Sequence, residues 1–349
     1  MGIRTASFVV LLLIVISIPG IAQEDPRDKS AVTFEELYDE PYATNKLFIG
    51  FQPLYGEVFA TNVTAGFGID ASYYHEDKFD LKLNFRKPYS MSFYDLNRYS
   101  AKKNSDVDNS PSGFGYFELG GTYHIKDFDV QSKTKMVLYK KSYKGDLWAA
   151  RVPLQAEVPC KVRKVYGARL GGIFWNSTAD ISRVLKNQNR TNSDLVMVSD
   201  ETLSLPLTSI TPNGQVQSLD VFSNIRSTGL YVGGSISWIR NIAVSFDKFE
   251  GGIDDGMLTL FFDILYSPSL KVDNVQYNGN AYSTNILKTS PIGARLGLDG
   301  KFNRTLSWAY GGEVGYRPSF QGGGFFALFK ISFPMYGTNL DYKVESFGK

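Results

Sequence analysis

With 37 basic and 35 acidic side chains, the 349-residue chain has a formal net charge of +2, which leaves no electrostatic basis for nucleic-acid binding. A mean hydropathy of −0.17 excludes a bundle of apolar helices. It does not exclude a membrane barrel, whose strands carry apolar residues at every second position only. Cys160 is the single cysteine, so no internal disulfide framework exists.

Residues 1–22 have the layout of a secretory signal peptide: Arg4, then an apolar core from Phe8 to Ile18, then the small-residue exit Pro19-Gly20-Ile21-Ala22. That core is short of the ~20 residues a spanning helix needs, so export is expected. Residues 23–45 are an acidic leader. Thr33-Phe34-Glu35-Glu36 has capping-box spacing, and Phe34, Leu37 and Tyr38 share one helical face. A short helix over Phe34, Glu35, Glu36, Leu37 and Tyr38 is therefore expected on the periplasmic side, as a leader or a candidate plug.

Across residues 46–334 the pattern changes to period two. In the stretch Lys78 to Lys87, Phe79, Leu81, Leu83 and Phe85 alternate with Asp80, Lys82, Asn84 and Arg86, as a strand with one apolar and one polar face requires. Breaks at residues 126–128, 159–164, 240, 268 and 301–304 read as tight turns. Residues 88–113, 177–225 and 279–289 read as longer loops, the second containing a helix-like segment at Asp180–Lys186. Counted this way the chain has about fourteen antiparallel strands (roughly 12–16), with short turns and both termini on one side and long loops on the other. The fold class is all-β. Aromatics such as Tyr73, Trp175, Trp238 and Tyr266 fall near expected strand ends, where interfacial girdles place them.

The last run, Gly324 to Phe333, puts Phe325, Ala327, Phe329, Ile331 and Phe333 on one parity and Lys330 and Ser332 on the other. It resembles the closing strand of bacterial outer-membrane β-barrel proteins, with Phe333 as the closing aromatic and residues 335–349 as a tail. The resemblance implies the outer membrane of a Gram-negative bacterium, contact with its lipid, and recognition by the barrel-assembly machinery. A count of about fourteen strands is similar to the fatty-acid-transporter type of barrel, in architecture only.

With the apolar parity facing lipid, the inner face holds Lys82, Arg86, Lys133, Lys135, Arg151, Arg169, Arg295, Arg317 and Lys330. Asp80, Glu118, Glu157, Asp247, Asp263 and Glu313 oppose them. Buried charge demands water or partners, so such a lumen is either a wet pore or cross-linked by ion pairs. Two functions follow: a channel or transporter for a small solute, porin-like in character, or a non-conducting barrel serving as a surface-binding or envelope-assembly scaffold. His75 falls in an expected tight turn, and His124 lies at the periplasmic rim and not at the outer rim where a barrel hydrolase would pair it with a hydroxyl or carboxylate; no Cys/His cluster has zinc-ligand spacing. No enzymatic activity, cofactor or metal is expected.

Overall fold

The computed structural model describes residues 32–75, 78–103, 110–138, 155–210, 213–247, 249–303 and 308–337. The expected signal peptide and most of the expected tail lie outside them. Ten antiparallel strands form one closed barrel. They are β1 (Leu47–Phe59), β2 (Asn62–His75), β3 (Phe79–Pro88), β4 (Gly115–Val137), β5 (Gln155–Asp180), β6 (Phe222–Ile239), β7 (Gly256–Val272), β8 (Ile292–Phe302), β9 (Ala309–Tyr316) and β10 (Phe325–Gly337). Each pairs with its neighbour in the chain, and β10 closes on β1 with Phe326 opposite Phe59 and Phe333 opposite Phe51. Among the described residues no helix is long and apolar enough to cross a membrane.

The count is ten, not about fourteen, and each discrepancy has a local cause. The break at Lys126-Asp127 is a bulge inside β4, where the register to β5 shifts between His124 and Lys126. An extra residue re-aims an antiparallel strand without ending it. Pro268 likewise sits at a register shift inside β7, between Tyr266 and Ser269, where a residue with no N–H costs no ladder bond. Pro159 lies inside β5, opposite Lys133. There β5 has passed the end of its pairing with β6, which stops at Arg163, so one edge of the strand is free. The fourth discrepancy is the strand expected over residues 241–250, which contributes Ile242–Phe246 to a separate sheet instead.

That sheet has three short strands, with Ile242–Phe246 between Phe34–Asp39 and Gly252–Asp254. The leader expected as a helix is therefore a strand. Phe34, Glu35, Glu36 and Leu37 are exposed and Tyr38 is half-buried, in a sheet separate from the closed barrel. The sheet packs on the ribbon formed where β4 and β5, at 23 and 26 residues, outrun the ~10 residues a bilayer needs. Lys161 donates its backbone N–H to Asp39 Oδ2 at 2.8 Å, and Thr134 donates to Asp254 Oδ2 at 2.6 Å. Burial raises the Asp39 carboxyl above its ordinary value, partly offset by that Lys161 bond.

Alternation along the barrel strands is strict. On β7, Phe262, Ile264 and Tyr266 are 51–53% exposed on the outer face, while Phe261, Asp263 and Leu265 are at most 3% exposed inside. Strand β10 repeats the pattern in the expected parity, with Phe325, Phe329 and Phe333 outward and Phe326, Leu328 and Lys330 inward.

The three longest loops lie on one side as expected, but the termini side is not all tight turns: the β6–β7 connection there, residues 240–255, carries two strands of the small sheet. On the side away from the termini, residues 89–114, 181–221 and 273–291 join strand pairs. The expected helix is present at Ile181–Asn187, capped by Asp180, whose Oδ1 accepts from the Arg183 N–H at 2.9 Å. Its Ile181 and Leu185 belong to one continuous apolar core with the loop residues Leu195 and Leu219 and the lumen residues Phe59, Trp175 and Phe326. The loops are therefore packed onto the barrel mouth. Asp95, fully buried, pins the helix Leu96–Lys103 there by accepting from Asn62 Nδ2 at 2.7 Å and from the Phe114 N–H at 2.9 Å.

Candidate functional site

Most of the charged residues expected inside are inside, and they are paired. Arg295 on β8 reaches across the lumen to Glu118 on β4, with Nη2–Oε1 at 2.5 Å and Nη1–Oε2 at 2.9 Å. Its Nε donates to Asp263 Oδ2 at 2.9 Å, and its Nη1 also approaches Glu313 Oε2 at 3.3 Å. Asp263 takes a second arginine, Arg169, through Nε at 2.8 Å. Tyr116 donates its hydroxyl to Glu118 at 2.6 Å. The arginines also lie over rings: Arg169 is 4.1 Å from the Phe261 centroid and Arg295 is 4.7 Å from that of Tyr231. These partners satisfy both charge and hydrogen-bonding demand where water is excluded.

A second cluster centres on Glu57, a residue the sequence reading did not place on a strand. It accepts from Arg317 at 2.7 Å and from Arg86 at 3.3 Å, all three side chains being buried. Arg86 stacks 3.8 Å from the Tyr116 ring centroid, which joins the two clusters. A third set lies nearer the termini: Lys330 reaches Asp299 at 3.0 Å, and Lys82 reaches the same carboxylate at 3.9 Å. Asp299 was also missed in the sequence, although it shares the parity of Arg295.

Four expected inner-face residues lie elsewhere. Lys133 and Lys135 project from the β4–β5 ribbon beyond the barrel, both exposed, with Lys133 3.6 Å from the equally exposed Glu157. They sit past the point where β5 stops pairing with β6, so the ribbon has left the closed barrel there and no lumen surrounds them. Asp247 is exposed beside the small sheet. Arg151 lies outside the described residues. His124 Nε2 meets Asp80 Oδ2 at 3.3 Å near the termini side, a pairing the sequence reading had not connected.

Toward the termini side the lumen holds a cavity of about 70 Å³, lined by Gln52, Asp70, Ser72, Lys82, Asp299 and Lys301 among others. That is room for a few water molecules.

No protein-family model matches the sequence, and no curated protein matches it. Among solved structures, the chain is similar to OmpT, an outer membrane protein of Vibrio cholerae, at 10% identity over 86% of this chain and 99% of that one, with a TM-score of 0.17. It is similar to a loop L8 deletion variant of the same protein at 11% identity over 83% and 98%, also with a TM-score of 0.17. The barrel assignment rests on the closed strand pairing of this chain itself.

Proposed function

We propose that this protein is a closed, non-conducting barrel of the Gram-negative outer membrane that presents a folded loop module at the cell surface, as a binding or envelope-assembly scaffold. The membrane location follows from the outer face. A belt of half-exposed Phe, Leu, Ile and Tyr side chains around a closed barrel is far larger than the apolar patches water-soluble proteins carry, and it is what lipid requires. The outward Phe333, at the β10–β1 seam, is then in lipid and available to the assembly machinery. The orientation follows from the loops: long ones outward, termini toward the periplasm.

The observation that favours scaffold over channel is the Arg295 cluster. It ties β8 to β4, β7 and β9 across the lumen. Above it the mouth is filled by the apolar core shared with the loops. A solute path would have to break both. Purified protein in planar bilayers is expected to give no resolved single-channel steps, in low or high salt, because salt screens exposed pairs and hardly reaches buried ones. Steady ohmic conductance in the wild type would overturn this reading in favour of a channel for a small solute.

A further inference from the structure

Lys301 differs from the other lumen cations. Arg86, Arg169, Arg295, Arg317 and Lys330 each meet a carboxylate within 3.3 Å. Among the described residues no carboxylate lies within ion-pair distance of Lys301. Its Nζ donates to Ser72 Oγ at 2.6 Å. Its ammonium also lies against two rings, Phe48 at 4.1 Å and Tyr74 at 4.6 Å to the centroid.

Lys301 and Ser72 line the 70 Å³ lumen cavity, and so does Lys82. Lys82 is also under-paired: its one carboxylate, Asp299, stands 3.9 Å away and is engaged at 3.0 Å by Lys330. The other acid on the cavity wall, Asp70, accepts from Ser332 at 2.5 Å and from Gln52 at 3.3 Å. The wall therefore presents two ammonium groups whose charge its own carboxylates do not answer at close range. Water reaches it, since the Lys82 and Asp299 side chains are 19% and 28% exposed.

We propose that this cavity binds a small anion of carboxylate type, held between the Lys301 and Lys82 ammonium groups with the Ser72 hydroxyl as a further donor. The Asn84 oxygen accepts from Gln52 at 3.3 Å, which leaves its amide hydrogens for the ligand. Charge-assisted bonds from ammonium to carboxylate are about twice as strong as neutral ones. The volume suits formate or acetate and is small for a fused ring system. The site stands on the cavity and its lysines and does not depend on whether the barrel conducts.

The test uses the full chain folded in detergent micelles and ¹³C-formate as the probe, followed by NMR line broadening. Wild-type protein should broaden formate saturably, acetate should compete, and naphthalenesulfonate should not. Lys301→Met should weaken formate binding by about tenfold or more, as loss of a hydrogen bond to a charged group does. Lys82→Met, at a partly exposed position whose partner Asp299 keeps Lys330, should weaken it as well. Lys126→Met, on the outer side of β4 against Phe128, should bind as wild type does. Absence of saturable broadening with folded wild-type protein would overturn the proposal. So would wild-type affinity in Lys82→Met, even where Lys301→Met does not fold.

Discussion

Arg295→Met is expected to destabilise the barrel by about 3–5 kcal/mol, the range seen when one partner of a buried ion pair is removed. Glu118 suffers most. Its two hydrogen bonds from Arg295 vanish, and the Tyr116 hydroxyl at 2.6 Å is the donor left to it. Asp263 keeps Arg169, and Glu313 keeps Lys330 at 3.9 Å, so they are partly compensated. Adding Glu118→Gln to Arg295→Met should recover more than half of the loss, since it removes the uncompensated charge. Guanidinium unfolding in micelles, followed by tryptophan fluorescence, measures both. Equal stability of wild type and Arg295→Met would mean that water reaches the cluster, and the closed-lumen reading would fall with it.

A comparable effect is expected at Gly233 on β6, for a steric reason. This glycine sits opposite Asp263 on β7 and Arg169 on β5. A Cβ there would lie 2.1 Å from the Phe262 carbonyl oxygen and 2.3 Å from Asp263 Oδ1. The first obstacle is backbone and cannot swing away, and the second is the carboxylate that Arg169 and Arg295 share. Gly233→Val should therefore open the β6–β7 seam and disorganise the ion cluster together, a cost at or beyond the ~1–3 kcal/mol of ordinary overpacking. Its neighbour Gly234 faces the other way, and a Cβ there finds its nearest atom at 3.7 Å. Gly234→Val is the matched control and should fold. Heat-modifiable migration on gels separates the two: Gly234→Val should show the compact folded band and Gly233→Val should lose it. The same folded yield from both would show that the seam has more room than the structure allows.

A period of two marked the chain as all-β, and the placement of its longest loops pointed to a barrel with both termini on the opposite side. The same period also placed Arg86, Arg169, Arg295, Glu118, Asp263 and Glu313 on the inner face. Side chains on one strand alternate faces whatever the strand pairs with, so the face of a residue is a local property. The helix at Ile181–Asn187 was legible for a similar reason, through the apolar spacing of Ile181, Val184 and Leu185.

Strand number was not local. Lys126-Asp127, Pro159 and Pro268 read identically as turns or as breaks within a strand, and the partner strand's register decided which. Phe34–Asp39 carries both a capping box and a usable strand pattern. The edge offered by Ile242–Phe246 selected the strand, since tertiary pairing outweighs the few tenths of a kcal/mol that separate such propensities. The lumen partners were the least legible. Arg295 and Glu118 are 177 residues apart, and Arg317 and Glu57 are 260 apart. Parity says that such charges point inward together, but which of them touch depends on how many strands close the barrel and at what stagger. Whether the lumen is crossed by ion pairs or left wet was therefore decided by closure alone.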